Sequence, residues 1–74
     1  MSYSNYATAN VALWLSEDEG LYKIVKSTEG SYKDLQAIFL EEFQLIVTPD
    51  LESYHSLDLN HHELNVLLHE LRED

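Results

Sequence analysis

Asn5-Tyr6-Ala7-Thr8-Ala9-Asn10-Val11-Ala12-Leu13-Trp14-Leu15-Ser16-Glu17-Asp18-Glu19-Gly20-Leu21-Tyr22 carries the only Trp of the chain. It runs from apolar residues through the polar group Ser16 to Glu19 and back to the apolar pair Leu21-Tyr22. One helix hands over to another at a tight corner in this way. Asn5 is a strong N-cap, because its short side chain accepts from an otherwise orphaned backbone N–H, and it predicts a first helix from about Tyr6 to Leu15. Val11, Leu13, Trp14 and Leu15 spread widely around that helix, which predicts cover on more than one side and makes Trp14 an expected core anchor. Ser16 followed by Glu19 has the capping-box spacing, and acids there face the positive end of a helix dipole. The cluster Glu17-Asp18-Glu19 therefore reads first as the start of a second helix and second as a binding patch, with the two helices meeting at Ser16.

Leu21, Ile24 and Val25 supply the buried stripe of helix two, Lys23 and Lys26 its wet side, and Gly30 a stop that tolerates positive φ. Ser31 opens a third helix with Asp34 in its first turn. Leu35, Ile38, Phe39 and Phe43 form its apolar face, which Tyr32 extends. Leu45-Ile46-Val47 is short and β-branched; helix end and extended piece both suit it, and a helix exit packing inward is expected. Thr48-Pro49-Asp50 suits either a cap with Pro at the first helical position or a turn. The stretch from Leu51 to Leu59 is irregular, a packed connector with Tyr54, Leu57 and Leu59 as expected anchors. Asn60 with Glu63 repeats the cap pattern, and Leu64, Leu67, Leu68 and Leu71 make an i, i+3, i+4, i+7 stripe for a last helix ending near Arg72. The expected fold is all-α, a compact bundle of about four short helices in a single small acidic domain over residues 1–74.

Seventy-four residues leave room for one modest core, and 45% hydrophobic residues with one Pro and two Gly suffice to form it. Without Cys there is no disulfide framework, thiolate metal site or thiol nucleophile. The N-terminal residues lack the basic and apolar regions of a signal peptide, and no apolar run approaches the roughly 20 residues that span a bilayer, so a cytosolic location is expected. Fourteen acids stand against Lys23, Lys26, Lys33 and Arg72, a net charge of -10. Such a surface repels nucleic acid and anionic membrane and attracts basic partners, although solubility alone also accounts for acidity.

Four His raise a metal-binding reading, but their spacing does not sustain it. His62 and His69 share an azimuth yet lie about 10 Å apart along a helix, so one ion cannot take both. His55 would have to converge with His61 or His62 and a carboxylate, which no spacing requires. Catalysis has less support. Ser16 and Ser31 are expected caps, no nucleophile elbow or glycine-rich phosphate loop is present, and acids without a sizeable pocket are surface. No enzyme, cofactor or metal is expected. What remains is a surface: Glu17, Asp18, Tyr22, Glu41, Glu42, Asp50 and Glu52 are the expected partner-binding residues. Acids on one face, spaced like duplex phosphates at about 1.7 Å of axis per charge, would let the domain act as a nucleic-acid decoy. The competing reading is a helical module, homodimeric in one version, whose tyrosines supply an amphipathic contact.

Asn5-Tyr6, Thr8, Asn10-Val11-Ala12-Leu13-Trp14 and Asp18-Glu19-Gly20-Leu21-Tyr22 resemble the signature of a family of short uncharacterised proteins encoded largely by phages, plasmids and other mobile elements. The family pattern runs Asn-Tyr-Glu-Thr-Trp-Asn-Val-Ala-Leu-Trp and then Asn-Asp-Glu-Gly-Leu-Tyr. A looser echo continues in Gly30-Ser31-Tyr32, Thr48-Pro49-Asp50 and from Asp58 to Leu71. Ala7 and Ala9 replace the pattern's Glu and Trp, and Glu17 replaces its Asn; loss of the Trp predicts a gap or a repacked surface. The resemblance implies a setting in which small acidic proteins inhibit or mimic host components; together with the acidic surface and the absence of a catalytic constellation, the expectation is a non-enzymatic binding protein in the host cytosol that engages a host protein with a basic surface.

Overall fold

The computed structural model describes residues 3–73. Met1, Ser2 and Asp74 lie outside the described residues. Four helices follow one another: α1 (Tyr6–Glu17), α2 (Glu19–Ser27), α3 (Tyr32–Glu41) and α4 (His61–Arg72). Among the described residues the connector from α3 to α4 contains a single antiparallel bridge, Val47 to Ser53, and no strand. The radius of gyration is 11.0 Å, close to the roughly 11 Å of a compact chain of this length. No described helix is long and apolar enough to cross a membrane.

The corner between α1 and α2 is a single residue. Asp18 ends α1 by donating its backbone N–H to the Trp14 carbonyl at 3.0 Å, and it begins α2 by accepting from Leu21 N–H on its carboxylate at 3.0 Å. The expected capping box at Ser16 is therefore corrected. Ser16 lies inside α1, its hydroxyl donating to the Ala12 carbonyl at 2.9 Å, because Asp18 satisfies both helix ends and lets α1 continue for two more residues. Asn5 caps α1 as expected, and Asn60 caps α4 through Glu63 N–H at 3.0 Å.

Helix α4 is central, packing on α1, α2 and α3, whereas α2 and α3 share little or no direct contact. Leu64, Leu67 and Leu68 meet Val11, Leu15, Val25, Leu35 and Phe39 in one core. Tyr32 is wholly buried there, its ring edge-on to His61 at 5.3 Å. The ends of the helices are tied by side chains. Asn65 Oδ1 accepts from Tyr32 N–H at 2.7 Å, and Arg72 donates from Nε and Nη1 to the carbonyls of Val25 and Gly30. Arg72 thus neutralises the end of α2 as well as lying in the last turn of α4.

Several expected anchors lie elsewhere. Trp14 is only half-buried at the edge of the core, and Leu57 is fully exposed. Phe43 falls beyond the end of α3 because Gln44 takes a left-handed φ of 54° and Leu45 N–H turns back to the Phe39 carbonyl at 2.8 Å. That reversal sends Leu45-Ile46-Val47 out as an extended segment, with Ile46 and Val47 exposed, in place of the inward-packing helix exit. A hollow of about 320 Å³ is lined by Tyr3, Ala9, Ala12 and Leu13, where loss of the pattern's Trp at Ala9 was expected to leave a gap or a repacked surface.

Gly30 links α2 to α3 at φ 106°, and a Cβ there would overlap the Asp34 carboxylate, which accepts from Ser31 N–H at 2.9 Å to start α3. Gly30→Ala therefore combines backbone strain with loss of a cap and should destabilise the fold by about 1–3 kcal/mol. Thermal unfolding followed by circular dichroism tests this; an unchanged midpoint would show that the turn is not held as described.

Candidate functional site

The connector is the irregular part of the chain, and side chains of α1 and α3 determine where it lies. Near its start, Thr48 is buried and donates its hydroxyl to Asn10 Oδ1 at 2.6 Å, while the same oxygen accepts from the backbone N–H groups of Asp50 and Glu52 at 3.2 Å. Asp50 then receives two donors from α1 on one carboxylate oxygen: Asn10 Nδ2 at 2.7 Å and Trp14 Nε1 at 2.9 Å. Asn10 and Trp14 stand four residues apart, on one face of the helix, and so reach the same acid. Further along, the Tyr54 carbonyl accepts from Tyr32 Oη at 2.8 Å and Gln36 Nε2 at 2.9 Å. At the far end, Asn5 Nδ2 donates to the Asp58 carbonyl at 2.6 Å, and the buried Thr8 hydroxyl accepts from Asn60 N–H at 2.9 Å.

Held in this way, the connector stands across from α2 and leaves a cleft of about 600 Å³. One wall is α2, with Leu21 and Ile24; the other is the extended segment, with Phe43, Leu45, Val47 and Pro49; Tyr54 also lines it and Asp18 stands at one end. A second hollow of about 460 Å³ continues it past Ile24 and Phe43, which border both, toward Glu29 and Glu42. Phe43 and Val47 remain 49% and 43% exposed. Burial, and then the nearby Asp18 charge, raise the pKa of Tyr54, so its hydroxyl stays protonated and makes no hydrogen bond among the described residues.

The expected binding residues divide between this groove and other roles. Asp18 and Glu42 line the groove, and Glu17 and Glu41 adjoin them in sequence, both exposed. Asp18 also spends a carboxylate oxygen on the α2 cap. Tyr22 is half-buried beneath Lys26, whose Nζ lies 5.4 Å from its ring centre. Asp50 holds α1 to the connector, and Glu52 is half-buried with its backbone N–H on Thr48. Phe43, Leu45 and Val47 carry no sequence signal of a surface role: Phe43 falls at helical spacing on the apolar face expected of α3, and Leu45 and Val47 belong to an apolar run too short to assign. No group of three or more metal-ligating side chains gathers among the described residues. His69 pairs with Glu73 at 3.0 Å, His61 lies against Tyr32, and His55 Nε2 is buried without a partner.

The hydrogen bonds from Asn10 and then Trp14 hold the Asp50 carboxyl below the usual Asp range. The folded state binds that proton less readily than the unfolded chain. Its contribution to stability is present above the unfolded pKa and is lost as pH falls through the lowered folded value. Acidification from about pH 6 to pH 2 should shift the Trp14 indole N–H resonance with a midpoint below about 3.9, and Asp50→Asn should abolish that step. A flat indole resonance in the native protein would contradict the geometry.

No curated protein and no solved structure matches the chain. One family profile does, described as a family of unknown function (DUF7249), over residues 2–74. The chain therefore belongs to the DUF7249 family.

Proposed function

We propose that this protein is a non-enzymatic acidic binding protein, encoded by a phage or another mobile element, that engages and inhibits a host protein through that protein's basic surface in the host cytosol. The observation that carries the reading is that Glu17, Glu41, Glu42 and Glu52 have no ion-pair partner among the described residues of a chain in which fourteen acids face four Lys and Arg. Of the four Lys and Arg residues, Lys23 pairs with Glu19 at 3.5 Å and Arg72 is spent on backbone carbonyls. Unneutralised charge of this density raises encounter rates with cations and repels nucleic acid. The mobile-element setting rests on the resemblance of the Asn5 to Tyr22 stretch alone. Nucleic-acid mimicry is the sharper form of the proposal, with the acids standing in for phosphates on a nucleic-acid-binding host protein.

A second reading, a homo-oligomeric interaction module, draws on the exposed apolar side chains Leu13, Ile46, Leu51 and Leu57. The net charge of -10 opposes it by self-repulsion. Immobilised protein challenged with host lysate separates the two. The acidic reading expects basic, nucleic-acid-handling proteins that elute as salt rises toward about 0.5 M, with capture lost at least about tenfold by the E41K/E42K double variant. Retention of no basic protein, or capture indifferent to salt, would sink it.

A further inference from the structure

We infer that the groove between α2 and the extended segment after α3 is the docking site for a basic amphipathic helix of the partner, an inference that rests on the acidic-binding reading above. Its apolar middle is Leu21, Ile24, Phe43, Leu45 and Val47, and its ends are acidic. Asp18 lies at one end, flanked in sequence by Glu17 and Glu19; Glu29 and Glu42 lie at the other, with Glu41 adjacent. No Lys, Arg or His lines either half. The complement of such a groove is an apolar stripe with cations beyond both ends.

Length agrees with a helix. The α2 wall has nine residues and spans about 13 Å, which matches the roughly 10 Å covered by anchors at i, i+3 or i+4, and i+7. Phe43 and Val47 are half-exposed on the groove's open side, and an inserted apolar stripe would complete their burial. Tyr54 adds a protonated hydroxyl beside Asp18 for a polar group on the inserted face. A second copy of this chain is the wrong occupant, because it brings another ten negative charges to an acid-rimmed site. An anionic membrane surface is wrong for the same reason.

The probe is a synthetic helical peptide of about 14 residues, two heptads' worth of stripe, with Leu at i, i+3, i+4 and i+7 and Lys outside that stripe. A permuted peptide of identical composition, lacking any stripe, is the control. Titrated into isotope-labelled full-length protein, the striped peptide should bind at least about tenfold tighter than the permuted one. Its resonance shifts should gather at Leu21, Ile24 and residues 43–47. Phe43→Ser should weaken it at least about tenfold, whereas Leu13→Ser, an exposed apolar change away from the groove, should leave affinity unchanged. Equal binding of both peptides, with shifts scattered over the acids and Phe43→Ser silent, would overturn the groove while leaving the acidic-binding reading intact. So would no binding of the striped peptide, or dilution-dependent shifts at the groove in protein alone. Salt-indifferent lysate capture defeats the acidic reading whatever the peptides do.

Discussion

The structure depends on one cluster of hydrogen bonds, in which Asn10 and Trp14 on α1 hold Asp50 while Asn10 also receives the Thr48 hydroxyl. An irregular segment has no ladder of its own, so its backbone groups need partners from side chains or water. Thr48 meets that need at the turn by accepting from two backbone N–H groups, and Asn10 fixes the turn against the first helix. Removing Asn10 would leave the buried Thr48 hydroxyl without its acceptor, a loss of about 1–3 kcal/mol, and would take one of two donors from Asp50. For a chain of this size that is a large share of a total stability of about 5–15 kcal/mol.

The groove is a consequence of that anchoring together with the central position of α4. With α4 packed on the other three helices, α2 and α3 are held apart. The chain leaving α3 reverses at Gln44 and is fixed at Thr48, so Phe43, Leu45 and Val47 face α2 across open space without closing on it. The arrangement leaves apolar area uncovered in a protein with little core to spare. It also places Asp18 and Glu42 at either end of that area, although they belong to different helix termini and come together only through the fold.

The Asn5 to Tyr22 stretch changes meaning once its partners are known. Asn5 and Thr8 hold the end of the connector, Asn10 and Trp14 hold its beginning, and Asp18 serves two helix ends. Asn5, Thr8, Asn10 and Asp18 are thus architectural, and even Trp14, the most conspicuous apolar residue of the stretch, acts partly through its N–H. Thr48-Pro49-Asp50, distant in sequence, belongs to the same construction. The side chains that remain open to a partner lie chiefly at the helix ends and on the segment after α3.

Much of the fold was legible because its signals are local. Asn5 and Asn60 cap within three residues, Gly30 takes the positive φ that its position demands, and the Leu64 to Leu71 stripe repeats at helical spacing. Each is decided within about one turn of chain, where propensity and periodicity act. Tertiary structure decided the rest. Asp50 lies 40 residues from Asn10 and 36 from Trp14, so no local pattern announces that the acid captures the indole and draws Trp14 to the edge of the core. Whether Ser16 or Asp18 capped α2 turned on which one could satisfy two helix ends at once. Where Phe43 and Val47 came to rest turned on the reversal at Gln44 and the anchoring at Thr48. The sequence by itself determined where helices form; contacts between distant residues determined which apolar side chains they bury and which they leave facing the groove, because burial is a property of the assembled surfaces.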